Sequence, residues 1–217
     1  MPAFAPVRLE GLHAVKHALR FAADLVGEVR VADLDRVREL TARLAPDVLD
    51  ALSARAVVAP VAHHTGVEAD ADRPAEDRRF LQARTAPLVL LDRPRHPGNV
   101  GAVIRVCAAA GIAGVAVTGP LDPWSPAVLR GAAGLHYALP VLSVQAAQVN
   151  GPFVVLDAGG DPRAELTPDA VLVVGSERDG VGDDLRRRTD IVLALPMRPG
   201  VSSLNLATAV AAVLYRR

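Results

Sequence analysis

Leu88-Val89-Leu90-Leu91-Asp92-Arg93-Pro94-Arg95-His96-Pro97-Gly98-Asn99-Val100-Gly101 is the stretch on which the fold turns. It leaves a short, wholly apolar run, bends through two prolines and enters a helical pattern that ends at Gly111. An apolar run of this length bounded by turn residues is what a strand buried on both faces shows. Proline at the first turn and glycine just past the end are helix start and stop signals. The same alternation continues towards the C-terminus. Val115–Thr118, Leu139–Val144, Phe153–Asp157, Val171–Gly175 and Ile191–Leu195 read as strands, with helices at Asn99–Ala110, Ser125–Ala133, Asp183–Arg188 and Leu204–Tyr215. The expectation is an α/β fold with a mostly parallel sheet and helices on both faces.

Working back from this stretch, 68–86 is dense in Asp, Glu, Arg and Pro and reads as a charged linker. Before it, 1–67 reads as a small α/β unit. Leu12, Val15 and Leu19 share one helical face, Val29 and Val31 alternate with charged residues as in a strand, and further helices are expected at Arg36–Leu44 and Pro46–Ala54. The domain expectation is therefore 1–67, a linker at 68–86, and a larger domain at 87–217.

The 217 residues are 51% hydrophobic, enough for a core, and no apolar run reaches the roughly 18 residues of a membrane helix. The first ten residues lack the pattern of a secretory signal. The single Cys107 reads as a buried core residue, and one cysteine forms no internal disulfide, as suits the cytoplasm. Net charge is zero, with 24 basic and 24 acidic residues and Lys16 the only lysine, so contact with nucleic acid would need a local arginine patch. Neither a membrane nor DNA is expected as a partner.

Three loops carry candidate chemistry, and each follows a strand, at the edge where parallel α/β sheets bind ligands. In the first, Gly98-x-x-Gly101 is not the Gly-x-Gly-x-x-Gly of a dinucleotide fold, and the next strand ends Val117-Thr118-Gly119 without an acid. Asn99 and Arg105 are read on one helical face with position 102, and a lone arginine in Val103-Ile104-Arg105-Val106 calls for a function or an acidic partner such as Glu177. The second loop, Gly175-Ser176-Glu177-Arg178-Asp179-Gly180, offers Gly175 for close approach of a ligand to the backbone and Glu177 to orient Arg105 or Asn99. The third, Leu195-Pro196-Met197-Arg198-Pro199-Gly200-Val201-Ser202-Ser203-Leu204-Asn205, enters the final helix with Ser202 or Ser203 as its expected N-cap, and its leucines and Met197 could wall an apolar pocket. No histidine-cysteine cluster suits a metal, and no Gly-x-Ser-x-Gly marks a hydrolase. The final helix is apolar on nearly every face, which predicts burial on all sides, with Leu206, Val210, Val213 and Leu214 at a subunit interface.

Together and in this order, the three loops resemble the motifs of the SpoU (TrmH-type) branch of the SPOUT RNA methyltransferases. The resemblance implies a trefoil-knotted catalytic domain, a homodimer, and transfer of a methyl group from S-adenosyl-L-methionine, without a metal, to a ribose 2′-hydroxyl in structured RNA. Ribosomal RNA is the expected substrate. Transfer RNA, or a non-catalytic RNA-binding or assembly role on the same fold, is the alternative. Carried over by motif, Asn99, Arg105, Glu177, Ser203 and Asn205 form the catalytic set, and Gly175, Leu195, Met197 and Leu204 contact the cofactor. Arg93, Arg95 and Arg130 are candidate RNA contacts. Arg105 stays protonated in a protein, so its implied role is stabilisation of the developing alkoxide, although a base role is also ascribed to this position. Gly11–Arg20 and His63–Val67 are similar to the small RNA-binding domain that often precedes this catalytic domain.

Overall fold

The computed structural model describes residues 4–201 and 203–216. The chain forms two compact units. The first comprises the residues up to Ala75 together with Ala132–Ala138, and the second comprises Glu76–Gly131 and the residues from Leu139 onward.

In the first unit the order is β1 (Val7–Glu10), α1 (Leu12–Ala22), β2 (Val26–Val31), α2 (Leu34–Leu44), α3 (Leu49–Arg55), β3 (Ala56–Val58) and β4 (Val67–Ala71). The sheet runs β1-β4-β2-β3. The β1–β4 and β4–β2 pairs are antiparallel and the β2–β3 pair is parallel. Helix α1 buries Leu12, Val15 and Leu19 as its spacing predicts. Asp33 caps α2 by accepting from the Arg36 N–H at 3.0 Å. The His17 ring nitrogen Nδ1 bonds the Ala133 carbonyl at 2.7 Å, which ties Ala132–Ala138 to α1.

One expectation is corrected here. Glu68–Ala71 is not linker; with Val67 it forms β4, an inner strand of this sheet. Val67, Ala69 and Ala71 point into the core while Asp70 pairs with Arg30 at 2.7 Å and Glu68 with Arg8 at 3.7 Å, so the acids are neutralised where they stand. Ala, Asp and Glu are weak strand formers, and only the pairing on both sides makes this segment extended. β1 was likewise not legible.

The second unit contains β5 (Leu88–Leu91), α4 (Pro97–Ala110), β6 (Gly114–Val117), α5 (Pro126–Ala132, whose last residue falls in the first unit), β7 (Val141–Ser143), β8 (Phe153–Asp161), β9 (Val171–Val174), α6 (Asp183–Arg186), β10 (Ile191–Leu193) and α7 (Leu206–Leu214). The sheet order is β10-β8-β9-β5-β6-β7, and every pair is parallel. All residues of β5, β6 and β9 are buried, as their unbroken apolar sequence requires. Leu88, Leu90, Ala116, Val171 and Val173 join one core cluster with Phe80, Phe153 and Leu185. The alternate residues face the opposite side, where α4 contributes Val100, Val103, Ile104 and Cys107. Gly111 ends α4 in the left-handed conformation, φ 67°. Burial pushes the Cys107 thiol up, far from thiolate formation.

Two details of the final helix differ from expectation. It begins at Leu206, and its N-cap is Asn205, whose side chain accepts from the Ala207 N–H at 3.0 Å. Ser203 is not the cap, and Ser202 lies outside the described residues. The helix is also not buried on all sides. Leu206, Ala207, Val210 and Val213 are buried within the chain, while Thr208 and Ala212 are exposed. A helix rich in alanine reads as apolar all round, yet an exposed alanine costs little and a threonine can face water. Leu206, Val210 and Val213 are therefore committed to their own chain. Exposed apolar surface nearby comes instead from Val201, Leu204 and Tyr215.

Candidate active site

Leu91, Val117 and Val174 stand in register across β6-β5-β9, so the loops that follow them emerge side by side from the carboxyl edge of the sheet. Residues 156–158 of β8, the loops after β9 and β10, and the first turns of α4 and α7 enclose a cavity of about 300 Å³. Leu156, Val174, Leu195, Met197, Leu204 and Leu206 give it apolar walls, and Asn99, Asp157, Glu177, Ser203 and Asn205 supply polar groups.

A relay of hydrogen bonds ties the three loops together. The Ala207 N–H donates to Asn205 Oδ1 at 3.0 Å, Asn205 Nδ2 donates to Asn99 Oδ1 at 3.1 Å, and Asn99 Nδ2 donates to Glu177 Oε1 at 2.7 Å. Each asparagine thus uses both ends of its amide, which fixes the direction of the relay. The other Glu177 oxygen accepts from the Arg95 N–H at 3.3 Å. Burial pulls the Glu177 carboxyl upward, but the Asn99 amide and the backbone N–H groups outweigh it and hold the group below its ordinary value.

The turn that carries Glu177 is closed by reciprocal bonds between Ser176 and Gly180, both 3.1 Å. Gly180 is left-handed at φ 65°. A Cβ on Gly175 would lie 2.1 Å from the Gly180 carbonyl carbon. Glycine at 175 is therefore required by the approach of the chain itself, a tighter constraint than the ligand contact expected from sequence. Gly175 also lines the cavity.

Of the residues named by motif, Asn99, Gly175, Glu177, Leu195, Met197, Ser203, Leu204 and Asn205 come together around this cavity. Arg105 does not. It is exposed on α4, is absent from the lining, and among the described residues makes no hydrogen bond or ion pair. The six residues from Asn99 to Arg105 turn an α-helix to about 120° from the starting direction, so the shared face read from sequence is not present. Arg130 lies on α5, exposed. Arg95 pairs with Asp179 at 2.6 Å. Arg93 folds back on Asp92, with its Nη2 at 3.2 Å from the carboxylate.

Asp92, Leu156 and Asp157 were not foreseen. The Asp92 side chain is 6% exposed and accepts from the Gly182 N–H and the Thr118 hydroxyl, both at 2.8 Å, pinning the loops after β5, β6 and β9 to one another. Its signal was its place, the first charged residue after an entirely apolar strand. Asp157 accepts from the Gly159 N–H at 3.1 Å and from Arg186 at 3.1 Å; the backbone bond first, then the guanidinium, keep it ionised below its ordinary range. Among the described residues no group of three or more His, Cys, Asp or Glu is placed to hold a metal. No described helix is long and apolar enough to cross a membrane.

A concave site with apolar walls and a few convergent polar groups suits a small molecule with a flat ring and a charged end. The leucines and Met197 match an adenine, and the carboxylates Glu177 and Asp157 match hydroxyl donors and a sulfonium charge, so the donor set fits S-adenosyl-L-methionine. The comparisons with known proteins agree. Residues 86–215 match the model of the SpoU rRNA Methylase family. A 23S rRNA (uridine(2479)-2'-O)-methyltransferase of Streptomyces viridochromogenes is 30% identical, over 97% of this chain and 75% of that protein. The 23S rRNA (guanosine(2553)-2'-O)-methyltransferase RlmP of Bacillus subtilis is 31% identical, over 95% of this chain and 86% of that protein. Among solved structures, the SpoU methyltransferase AviRb from Streptomyces viridochromogenes in complex with AdoMet superposes with a TM-score of 0.75 at 25% identity, over 97% of this chain and 88% of that one. With the family match spanning the parallel sheet and all three loops of the site, the chain belongs to the SpoU rRNA methylase family.

Proposed function

We propose that the protein is an S-adenosyl-L-methionine-dependent RNA methyltransferase that methylates a ribose 2′-hydroxyl in ribosomal RNA. The observation that carries this is the relay from Asn205 through Asn99 to Glu177 at the mouth of the apolar cavity, which joins all three motif loops in one place.

The bound cofactor supplies a methyl group already activated on a sulfonium. The chain supplies position and charge. Leu195, Met197 and Leu204 hold the flat ring, with Gly175 completing the wall. Glu177, fixed by Asn99 and the Arg95 N–H, aligns the incoming ribose, with Ser203 and Asn205 as further polar contacts. The hydroxyl is a poor nucleophile until its proton leaves, and Arg105 stabilises the alkoxide that develops, the proton passing to water or an RNA phosphate.

Since Arg105 lies outside the cavity of its own chain, this role requires a second copy, and we propose a homodimer in which each Arg105 serves the other's site. Exposed Val201, Leu204 and Tyr215 support such an interface. The first unit is proposed to grip structured RNA, and Arg93, Arg95 and Arg130 to contact it. A cytoplasmic site of action accords with a ribosomal substrate.

The test is incubation of the protein and labelled cofactor with an unmodified 23S rRNA transcript, followed by alkaline hydrolysis. An alkali-resistant labelled dinucleotide is expected, because a methylated 2′-oxygen cannot attack its neighbouring phosphate. Label that appears only in transfer RNA would move the substrate, and cofactor binding without transfer to either RNA would overturn the enzyme reading.

A further inference from the structure

Beside the cavity, on the far side of the Glu177 turn, lies a groove of about 540 Å³ lined by Arg93, Pro94, Arg95, Pro120, Leu121 and Asp179. It is built from the loops after β5, β6 and β9, whereas the cavity uses β8 itself and the loops after β9 and β10. The turn after β9 is their common wall. Glu177 lines the cavity, and Asp179 lines the groove.

Arg93 stands between this groove and an adjoining one lined by Asp92, Thr118, Gly119 and Gly182, and is held there by several independent devices. Its φ is 49°, a left-handed conformation uncommon for a non-glycine residue and one that proteins concentrate at ligand sites. Its N–H donates to Thr118 Oγ1 at 3.0 Å, and its guanidinium edge donates to the buried Asp92 carboxylate at 3.2 and 3.3 Å. Gly119 and Gly182 leave room for it: a Cβ on Gly119 would sit 3.1 Å from the Arg93 Cγ. On Gly182 a Cβ would sit 2.3 Å from its Nη2. The side chain nevertheless remains 52% exposed. Asp92 engages only the guanidinium edge, which leaves the planar face for a further partner.

We propose that this groove is a base-binding subsite for the RNA substrate. An unpaired base beside the methylated ribose lies against the Arg93 guanidinium, between Pro94 and the rim of Pro120 and Leu121. Its phosphate is taken by Arg95 in exchange for Asp179. Stacking on a guanidinium plane and on rigid apolar side chains is how proteins hold unpaired RNA bases. The Arg95–Asp179 pair is 49% and 60% exposed, and an ion pair so open to water is readily exchanged for a phosphate. This proposal rests on the reading of the neighbouring cavity as the methyl-transfer site.

The test uses the full chain and an unmodified 23S rRNA transcript. Short-wave ultraviolet crosslinking with peptide mapping should place RNA on the segments holding Arg93–Arg95 and Pro120–Leu121. Leu121→Ala, and separately Arg93→Lys, should raise the RNA KM about tenfold, the scale of one lost stacked base. Calorimetry should show adenosylmethionine affinity unchanged in both. Wild-type KM in Leu121→Ala together with crosslinks confined to other segments would overturn the proposal, as would a KM effect from Arg95→Ala alone, which would mean phosphate contact without a stacked base. Crosslinking needs no methyl transfer. If the wild-type protein proves inactive on this RNA, the enzyme reading falls while the groove is still judged by its crosslinks.

Discussion

Two carboxylates at neighbouring strand ends, Asp92 after β5 and Glu177 after β9, receive similar hydrogen bonds and serve opposite ends. Each accepts a backbone N–H from the adjoining loop, Gly182 for Asp92 and Arg95 for Glu177. Asp92 is buried, and its donors are a peptide, a hydroxyl and a guanidinium already built into the fold. Glu177 is exposed at a cavity mouth and is reached by an amide from another loop. Hydrogen bonding therefore does not separate a structural acid from one proposed to meet substrate. Burial and the room left for a further donor do.

The sharpest way to break the Glu177 side is to displace its turn. Gly175→Val would drive a side chain into the Gly180–Val181 backbone, where a Cβ already comes within 2.1 Å. Saturable adenosylmethionine binding should vanish in calorimetry; retained binding would show that the turn does not shape the cavity. Next in size is Arg105→Ala. It should cost two to three orders of magnitude in single-turnover methyl transfer, roughly the effect of removing one charge-stabilising group. The melting temperature should not move, because Arg105 is exposed and without a partner among the described residues. Earlier melting with undiminished activity per folded molecule would remove it from the catalytic set.

Asp92→Ala acts on stability. It strands the buried Thr118 hydroxyl and the half-buried Gly182 N–H, at about 3 kcal/mol. In a chain of this size that lowers the melting temperature by roughly 6–12 °C. Glu177→Ala should cost under about 1 kcal/mol, as exposed polar residues do. Equal losses in the two variants would dissolve the distinction. The smallest effect is one of pH. Because the folded-state pKa of Glu177 is depressed below 4.5, the unfolded chain takes up the proton first as pH falls. The stability contributed by Glu177 is thus present above that value and is lost below it as pH passes down through the folded-state pKa. Melting curves of Glu177→Gln should show a slightly flatter acid limb than wild type, and an unchanged limb would count against the depressed pKa.

Legibility differed between the units for a physical reason. In the parallel sheet, burial on both faces forces unbroken apolar runs, so β5 and β9 stand out from the chain as written. In the first unit, Val67-Glu68-Ala69-Asp70-Ala71 has the alternation of a strand but the composition of a linker. Arg30, folded against Asp70, and Arg8, beside both Glu68 and Asp70, make its acids tolerable inside a sheet. The final helix misled in the opposite way, since its alanines hid which face turns inward. The helical phase also misled: six residues from Asn99 is not a whole number of turns, so Arg105 parts company with it.

By itself the sequence determined the α/β class, the strands that carry the site, the order of three loops at one sheet edge, and the residue types now proposed to bind and polarise. These depend on local pattern, on apolar runs, on prolines and glycines at helix ends, and on short motifs. The tertiary structure alone decided that Asn205 caps α7 and passes a hydrogen bond to Asn99, and that Gly175 yields to its own chain. It also decided that Asp92 locks three loops, and that Arg105 looks away from the cavity while Arg93 is posed beside it. Each of these rests on contacts between segments far apart in sequence, and such contacts exist only once strand order and register have brought the loops to a common edge.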